Sequence, residues 1–192
     1  MKAKDILNSI FQVRLHESPM LVDYVGVIDD ETENVSWFNK LKVNQAKVND
    51  HLYLSKLDDV SYIYEVDESM EMPIRLMLIY KIVDFPVLGQ AITLVGAWRK
   101  VDSQYEPWQV FWNYIMPLDG CVVSDNIQTP TGREFFIKQC IDSFKRGGYA
   151  YVLDGDNLIE LKPESIKCEV SRYYHGSSKG LSSRLVVWLP IN

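Results

Sequence analysis

A serine beside an aspartate, Ser124-Asp125, ends a short apolar run that begins at Gly120, and the chain carries three histidines, His16, His51 and His175, that could be paired with them. Nucleophilic catalysis needs such a set: a hydroxyl, an imidazole that takes its proton, and a carboxylate that orients the imidazole. No G-x-S-x-G elbow surrounds Ser124, and the histidines are far apart in the chain, so the pair reads first as turn formers at a strand end. Tyr149 opens the next β-prone stretch. If the chain is an enzyme, Ser124, Asp125 and Tyr149 are the residues expected nearest its site.

Phosphate binding is the next chemistry to weigh. Gly147-Gly148 follows Arg146, and Gly176 to Gly180 encloses Lys179, but the first pair ends a helix, where the dipole has the wrong sign for an anion. The second has no Walker spacing and reads as a hairpin tip. Six carboxylates, Asp58, Asp59, Glu65, Asp67, Glu68 and Glu71, form an acidic cluster without calcium-loop spacing. They predict either a binding surface for a basic partner or strand edges guarded by charge. Trp98, Trp108 and Trp112, with Tyr105 and Tyr114, could stack a flat ligand, although at alternating strand spacing large aromatics belong more often to a core. No spacing calls for a metal or another cofactor.

The elements that position these residues are clearest between Gly120 and Leu161. Thr129 with Pro130, or Thr131 with Glu134, starts a helix over 130–146. Phe136, Ile137, Cys140, Ile141 and Phe144 give it a core face, and Arg133, Glu134, Lys138, Gln139, Asp142, Lys145 and Arg146 its other side. Gly147-Gly148 stops it, and Tyr149–Leu153 with Leu158–Leu161 predicts a hairpin around Asp154-Gly155-Asp156-Asn157. Upstream, Ile6, Leu7, Ile10 and Phe11 predict a first helix at 3–12. Met20–Ile28 and Val35–Phe38 predict a hairpin around an acidic turn at 29–34.

Residues 39–50 fit a short helix or a solvated connection. His51–Leu54, Val60–Val66, Met72–Val83, Ala91–Lys100 and Trp108–Ile115 predict further strands, the last three as an antiparallel meander. Ile166–Tyr174 and Leu185–Leu189 look strand-like around a small-residue loop at 175–183. The fold class expected is α+β: a mostly antiparallel mixed sheet with helices at 3–12 and 130–146. A single domain over 1–192 is expected, β-rich to 116 and strand, helix and hairpin from 117.

Composition narrows the function classes. The 192 residues are 47% hydrophobic, enough for an ordered core, and no apolar run approaches a bilayer span. Three cysteines, Cys121, Cys140 and Cys168, are an odd number without close spacing, which predicts reduced thiols in a cytoplasmic protein. The net charge of −6 lies in the first half: residues 1–96 hold 9 Lys/Arg against 15 Asp/Glu, and residues 97–192 hold 11 of each. That disfavours generic nucleic-acid binding, which needs a basic surface.

The run from Asp119 through Ser124-Asp125, Gln128-Thr129 and Gly132 to Phe136, continuing to Gly148–Asp154, resembles the C-terminal part of phage-encoded proteins with a GNAT acetyltransferase fold. The resemblance covers about 35 residues. It implies a central antiparallel sheet from Met72 to Ile115, Val122–Asp125 as the strand after the cofactor helix, and 130–146 packed beside it. The Gln/Arg-x-x-Gly-x-Gly/Ala loop by which that family grips coenzyme A does not occur between Gly89 and Gly120. Nor does 130–146 hold the tyrosine acid. The reading is therefore a phage- or prophage-encoded, non-enzymatic interaction protein with a GNAT-like fold. It would bind a host or viral protein through its acidic surface, without membrane or cofactor. A diverged acyltransferase using a CoA-type cofactor, or a virion structural component, are the alternatives.

Overall fold

The computed structural model describes residues 30–125, 130–174 and 183–190. The expected helix at 3–12, the strand at Met20–Ile28, the Thr129 cap, His16, His175 and the Gly176–Gly180 loop lie outside them. The described chain is α+β, with nine strands, β1 (Ala46–Lys47), β2 (Leu52–Leu57), β3 (Val60–Val66), β4 (Ile74–Phe85), β5 (Gly89–Arg99), β6 (Cys121–Ser124), β7 (Tyr149–Asp154), β8 (Asn157–Glu160) and β9 (Ser183–Trp188), hydrogen-bonded in the order β1-β2-β3-β4-β5-β6-β9-β7-β8. The β1–β2, β2–β3, β3–β4, β6–β9, β9–β7 and β7–β8 ladders are all antiparallel. Its residues group into two compact units, neither a single stretch of chain: one holds the described residues to Ile82 with Leu94–Asn113, the other Val83–Thr93 with the described residues from Tyr114 onward.

The first unit begins with helix α1, Glu31–Lys42, capped by Asp30, whose carboxylate accepts from Glu33 N at 3.2 Å. The expected strand at Val35–Phe38 is thus a helix. Asp30, Glu31 and Glu33 are acidic because they sit at a helix N-terminus, where carboxylates meet the dipole favourably, and Lys40 and Lys42 occupy the last turn. Asn34, Trp37, Phe38 and Leu41 form its buried stripe.

Strands β1 (Ala46–Lys47), β2 (Leu52–Leu57), β3 (Val60–Val66), β4 (Ile74–Phe85) and β5 (Gly89–Arg99) follow in chain order, the last two running on into the second unit. Tyr62, Tyr64 and Val66 alternate along β3, so they share a face, and they pack with Trp37, Phe38 and Leu41. The buried Asn34 side chain ties α1 to β4, donating to Ile74 O at 3.1 Å and accepting from Ile74 N at 3.0 Å.

Trp108–Ile115, expected as a strand, is helical: α2 (Pro107–Val110), a π-helical stretch (Phe111–Ile115) and α3 (Met116–Asp119). Pro107 takes the first helical position and the Gln109 side chain accepts from Glu106 N at 2.9 Å. The buried pairs Val110-Phe111 and Ile115-Met116 are five residues apart, a spacing that a π turn accommodates and a 3.6-residue period does not.

The second unit holds the turn of the β4–β5 hairpin, then β6 (Cys121–Ser124), α4 (Pro130–Lys145), β7 (Tyr149–Asp154), β8 (Asn157–Glu160), α5 (Ile166–Tyr174) and β9 (Ser183–Trp188). Helix α4 and the β7–β8 hairpin fall where the sequence predicts them. Gly147, at φ +77°, ends the helix, and a Cβ on Gly148 would collide with Ser143 Oγ and the Trp188 carbonyl. Residues 166–174, read as a strand, form a helix because Ile166 and Val170 are buried four residues apart.

Candidate functional site

The structure places Ser124 as the last residue of β6, fully buried. Its hydroxyl donates to the Asp125 carbonyl at 3.0 Å and accepts from Leu185 N at 2.9 Å, so its only proton and one lone pair serve the backbone. Asp125 faces the buried Arg184 at 4.0 Å; that guanidinium also donates to Ser124 O at 3.5 Å and lies 5.7 Å from the Phe85 ring centre. This is a seam between β6 and β9.

Tyr149 is elsewhere. It pairs with Trp188, whereas Ser124 is level with Leu185, three positions or roughly 10 Å along the strands. Tyr149 is half exposed, stacks with Tyr151 at 6.4 Å and lies tilted against Trp188 at 6.0 Å. Burial, then the nearby Glu160 charge, pushes the Tyr151 hydroxyl up to about 12. The structure thus brings Ser124 and Asp125 together and leaves Tyr149 apart. His51, just before β2, has its backbone N–H on Asn49 Oδ1 at 2.9 Å.

The six carboxylates also divide. Asp58 and Asp59 turn the chain between β2 and β3, Asp58 at φ +54°. Asp67, Glu68 and Glu71 occupy the β3–β4 connection, at the far end of a ladder six residue pairs long. Glu65 is buried, its carboxylate accepting from Ser103 Oγ and from Gln104 N at 3.0 Å. It clamps the segment after β5 and cannot face a partner, so the expected acidic surface is two separated ends and one interior group.

The β3–β4 connection is locked. Asp67 N donates to Pro73 O at 2.9 Å, and Asp67 Oδ1 accepts from Ser69 Oγ at 2.6 Å and Ser69 N at 3.0 Å. The Ser69 hydroxyl, then its N–H, holds the Asp67 carboxyl below its ordinary range. Glu68 pairs with Lys42 at 3.0 Å, and Met70, at the tip, is 46% exposed.

Among the aromatics, Trp98 lies in the α1 core and Trp112 packs edge-on to Phe111 at 5.3 Å. Tyr105 donates to Asn49 Oδ1 at 3.3 Å, and Trp108 is 37% exposed. Cys121 and Cys140 are buried and burial pushes both thiols up, away from the reactive thiolate; Cys168 is exposed. Among the described residues no three His, Cys, Asp or Glu side chains gather to hold a metal, and no helix is long and apolar enough to cross a membrane.

A concave surface does occur in the second unit. Helix α5 packs against α4, and a groove of about 520 Å³ runs between them. Ile137 and Ile141 of α4 and Val170 of α5 supply its aliphatic lining; Arg133, Lys138 and Lys167 supply cations, against the single carboxylate of Glu134. Residues 133, 137 and 141 fall on one row of the helix, four apart. The sequence assigned Ile137 and Ile141 to the core; both are only partly buried and face this groove. The groove was missed because α5 was read as a strand, although Ile166 and Val170 carried the helical spacing.

No family model matches the chain, and a comparison with curated proteins returns no match.

Proposed function

We propose that this chain is a non-enzymatic interaction protein of a phage or prophage, with a GNAT-like fold, that binds a host or viral protein. The observation that carries the reading is the groove between α4 and α5: aliphatic side chains flanked by cations suit an acidic segment with an apolar anchor. The resemblance of 119–154 supports the phage origin and the GNAT-like element order. The commitment of the Ser124 hydroxyl to two backbone partners supports a structural role for the residue an acyltransferase would be expected to use.

Affinity capture with the tagged chain from phage-infected cells tests the proposal, with Lys138→Glu as control. Lys138 is exposed, so the substitution leaves the core intact. One stoichiometric protein partner, lost with Lys138→Glu, is the expected result. A thermal shift with acetyl-CoA together with measurable acyl transfer would overturn it in favour of a diverged acyltransferase.

A further inference from the structure

The locked β3–β4 tip is the chemical complement of the groove. Met70, 46% exposed, stands among Asp67, Glu71 and Glu68, the last shared with Lys42 through an exposed ion pair at 3.0 Å. The groove offers the half-buried Ile137 and Ile141 over the buried Val170, and three cations against one carboxylate. An apolar knob with an excess of carboxylates thus exists on the same chain as a partly apolar hollow with an excess of cations. The tip is also preorganised: the Asp67–Ser69 hydrogen bonds and the Asp67–Pro73 closure fix its backbone, so little conformational freedom remains to be lost on docking.

We propose that the groove between α4 and α5 receives the Asp67–Met72 tip of a second copy of this chain. The inference rests on the groove reading above and names the viral partner as the protein itself. The contact is heterologous, since tip and groove are different surfaces, and copies therefore add head to tail. Met70 enters the aliphatic lining, and Asp67 and Glu71, together with the Glu68 carboxylate shared with Lys42, face Arg133, Lys138 and Lys167. A knob of this size buries less than a standard interface, so the association is weak and concentration-dependent. Its charged rim makes it weaker as salt rises.

Sedimentation velocity of the full chain, from micromolar to about 0.5 mM, tests this with two exposed-site variants, Met70→Glu in the tip and Lys138→Glu at the groove. Wild type is expected to grow in mass with concentration, more at low salt, and each variant alone to associate roughly tenfold more weakly. Each variant keeps one intact half of the contact. A mixture of the two therefore forms a 1:1 dimer that grows no further, and this rescue excludes misfolding as the cause of the single-variant losses.

Wild type that stays monomeric to the top of the range, variants that associate as wild type does, or a mixture no heavier than its parts would each overturn the inference. A monomeric wild type that still captures another protein in a Lys138-dependent way overturns the second-copy inference alone and leaves the groove reading standing. Self-association through both surfaces together with acyl transfer would leave the inference standing and remove the non-enzymatic reading.

Discussion

The two units spend similar polar residues in different ways. In the first, Asn34, Ser55 and Glu65 are buried and tie distant segments together: α1 to β4, the end of α1 to β2, and β3 to the segment after β5. In the second, Ser124 and Ser143 stitch neighbouring strands and a helix end, Ser143 Oγ lying 3.0 Å from both the Tyr149 and the Trp188 carbonyls. What differs is the exposed remainder. The first unit presents a carboxylate-ringed methionine, the second an aliphatic groove with cations. Chemistry-bearing residues turned inward hold the fold, and what is left outside differs locally, an exposed methionine among carboxylates in one unit and a groove with more cations than carboxylates in the other.

The largest effect that would break this contrast is Gly148→Ala. The added methyl has no room between Ser143 Oγ and the Trp188 carbonyl, and backbone cannot give way as a flexible side chain does. A loss of more than about 4 kcal/mol in denaturant unfolding is expected. Next comes Asn34→Ala, which strands a buried N–H and a buried C=O of Ile74. It should cost about 2–4 kcal/mol, measured in the same way. Ser124→Ala leaves the Leu185 N–H without its acceptor and should cost about 1–2 kcal/mol. A neutral result there would free the hydroxyl for another role.

A pH effect sharpens the picture of the second unit. Because the Tyr151 hydroxyl is raised to about 12 from an ordinary value of 10.0, the unfolded chain ionises first as pH rises. Stability from this group is complete below pH 10 and is lost as pH climbs through 10 toward 12. Tyr151→Phe should flatten that decline in melts taken between pH 9 and about 12, with absorbance at 295 nm reporting the ionisation. The smallest effect is expected at the tip. Glu68→Gln, at an exposed ion pair with Lys42, should change stability by less than about 0.5 kcal/mol while weakening association.

The legible parts of the fold were those whose signals are local. Helix α4 carried its stripe and its glycine stop within about twenty residues, and the β7–β8 turn carried Asp-Gly-Asp-Asn. Helix α1 was misread because carboxylates at a helix start look like a turn when the Trp37, Phe38 and Leu41 stripe is not counted against them. The 107–119 segment hid its helix behind a five-residue spacing that only the π stretch explains. Glu65 looked like surface charge because its partners, Ser103 and Gln104, lie 38 and 39 residues away. The groove needed α5, a helix whose buried Ile166 and Val170 were overruled by β-prone neighbours.

Hydrogen exchange on the full chain, compared between dilute and concentrated solution, tests the complementarity of the two surfaces most directly. The account predicts that backbone amides of the 67–72 tip and those around Arg133–Ile141 and Lys167–Val170 gain protection together as concentration rises, and that Met70→Glu shifts both gains together to roughly tenfold higher concentration. Exchange that does not depend on concentration, or protection that appears in one surface without the other, would contradict it.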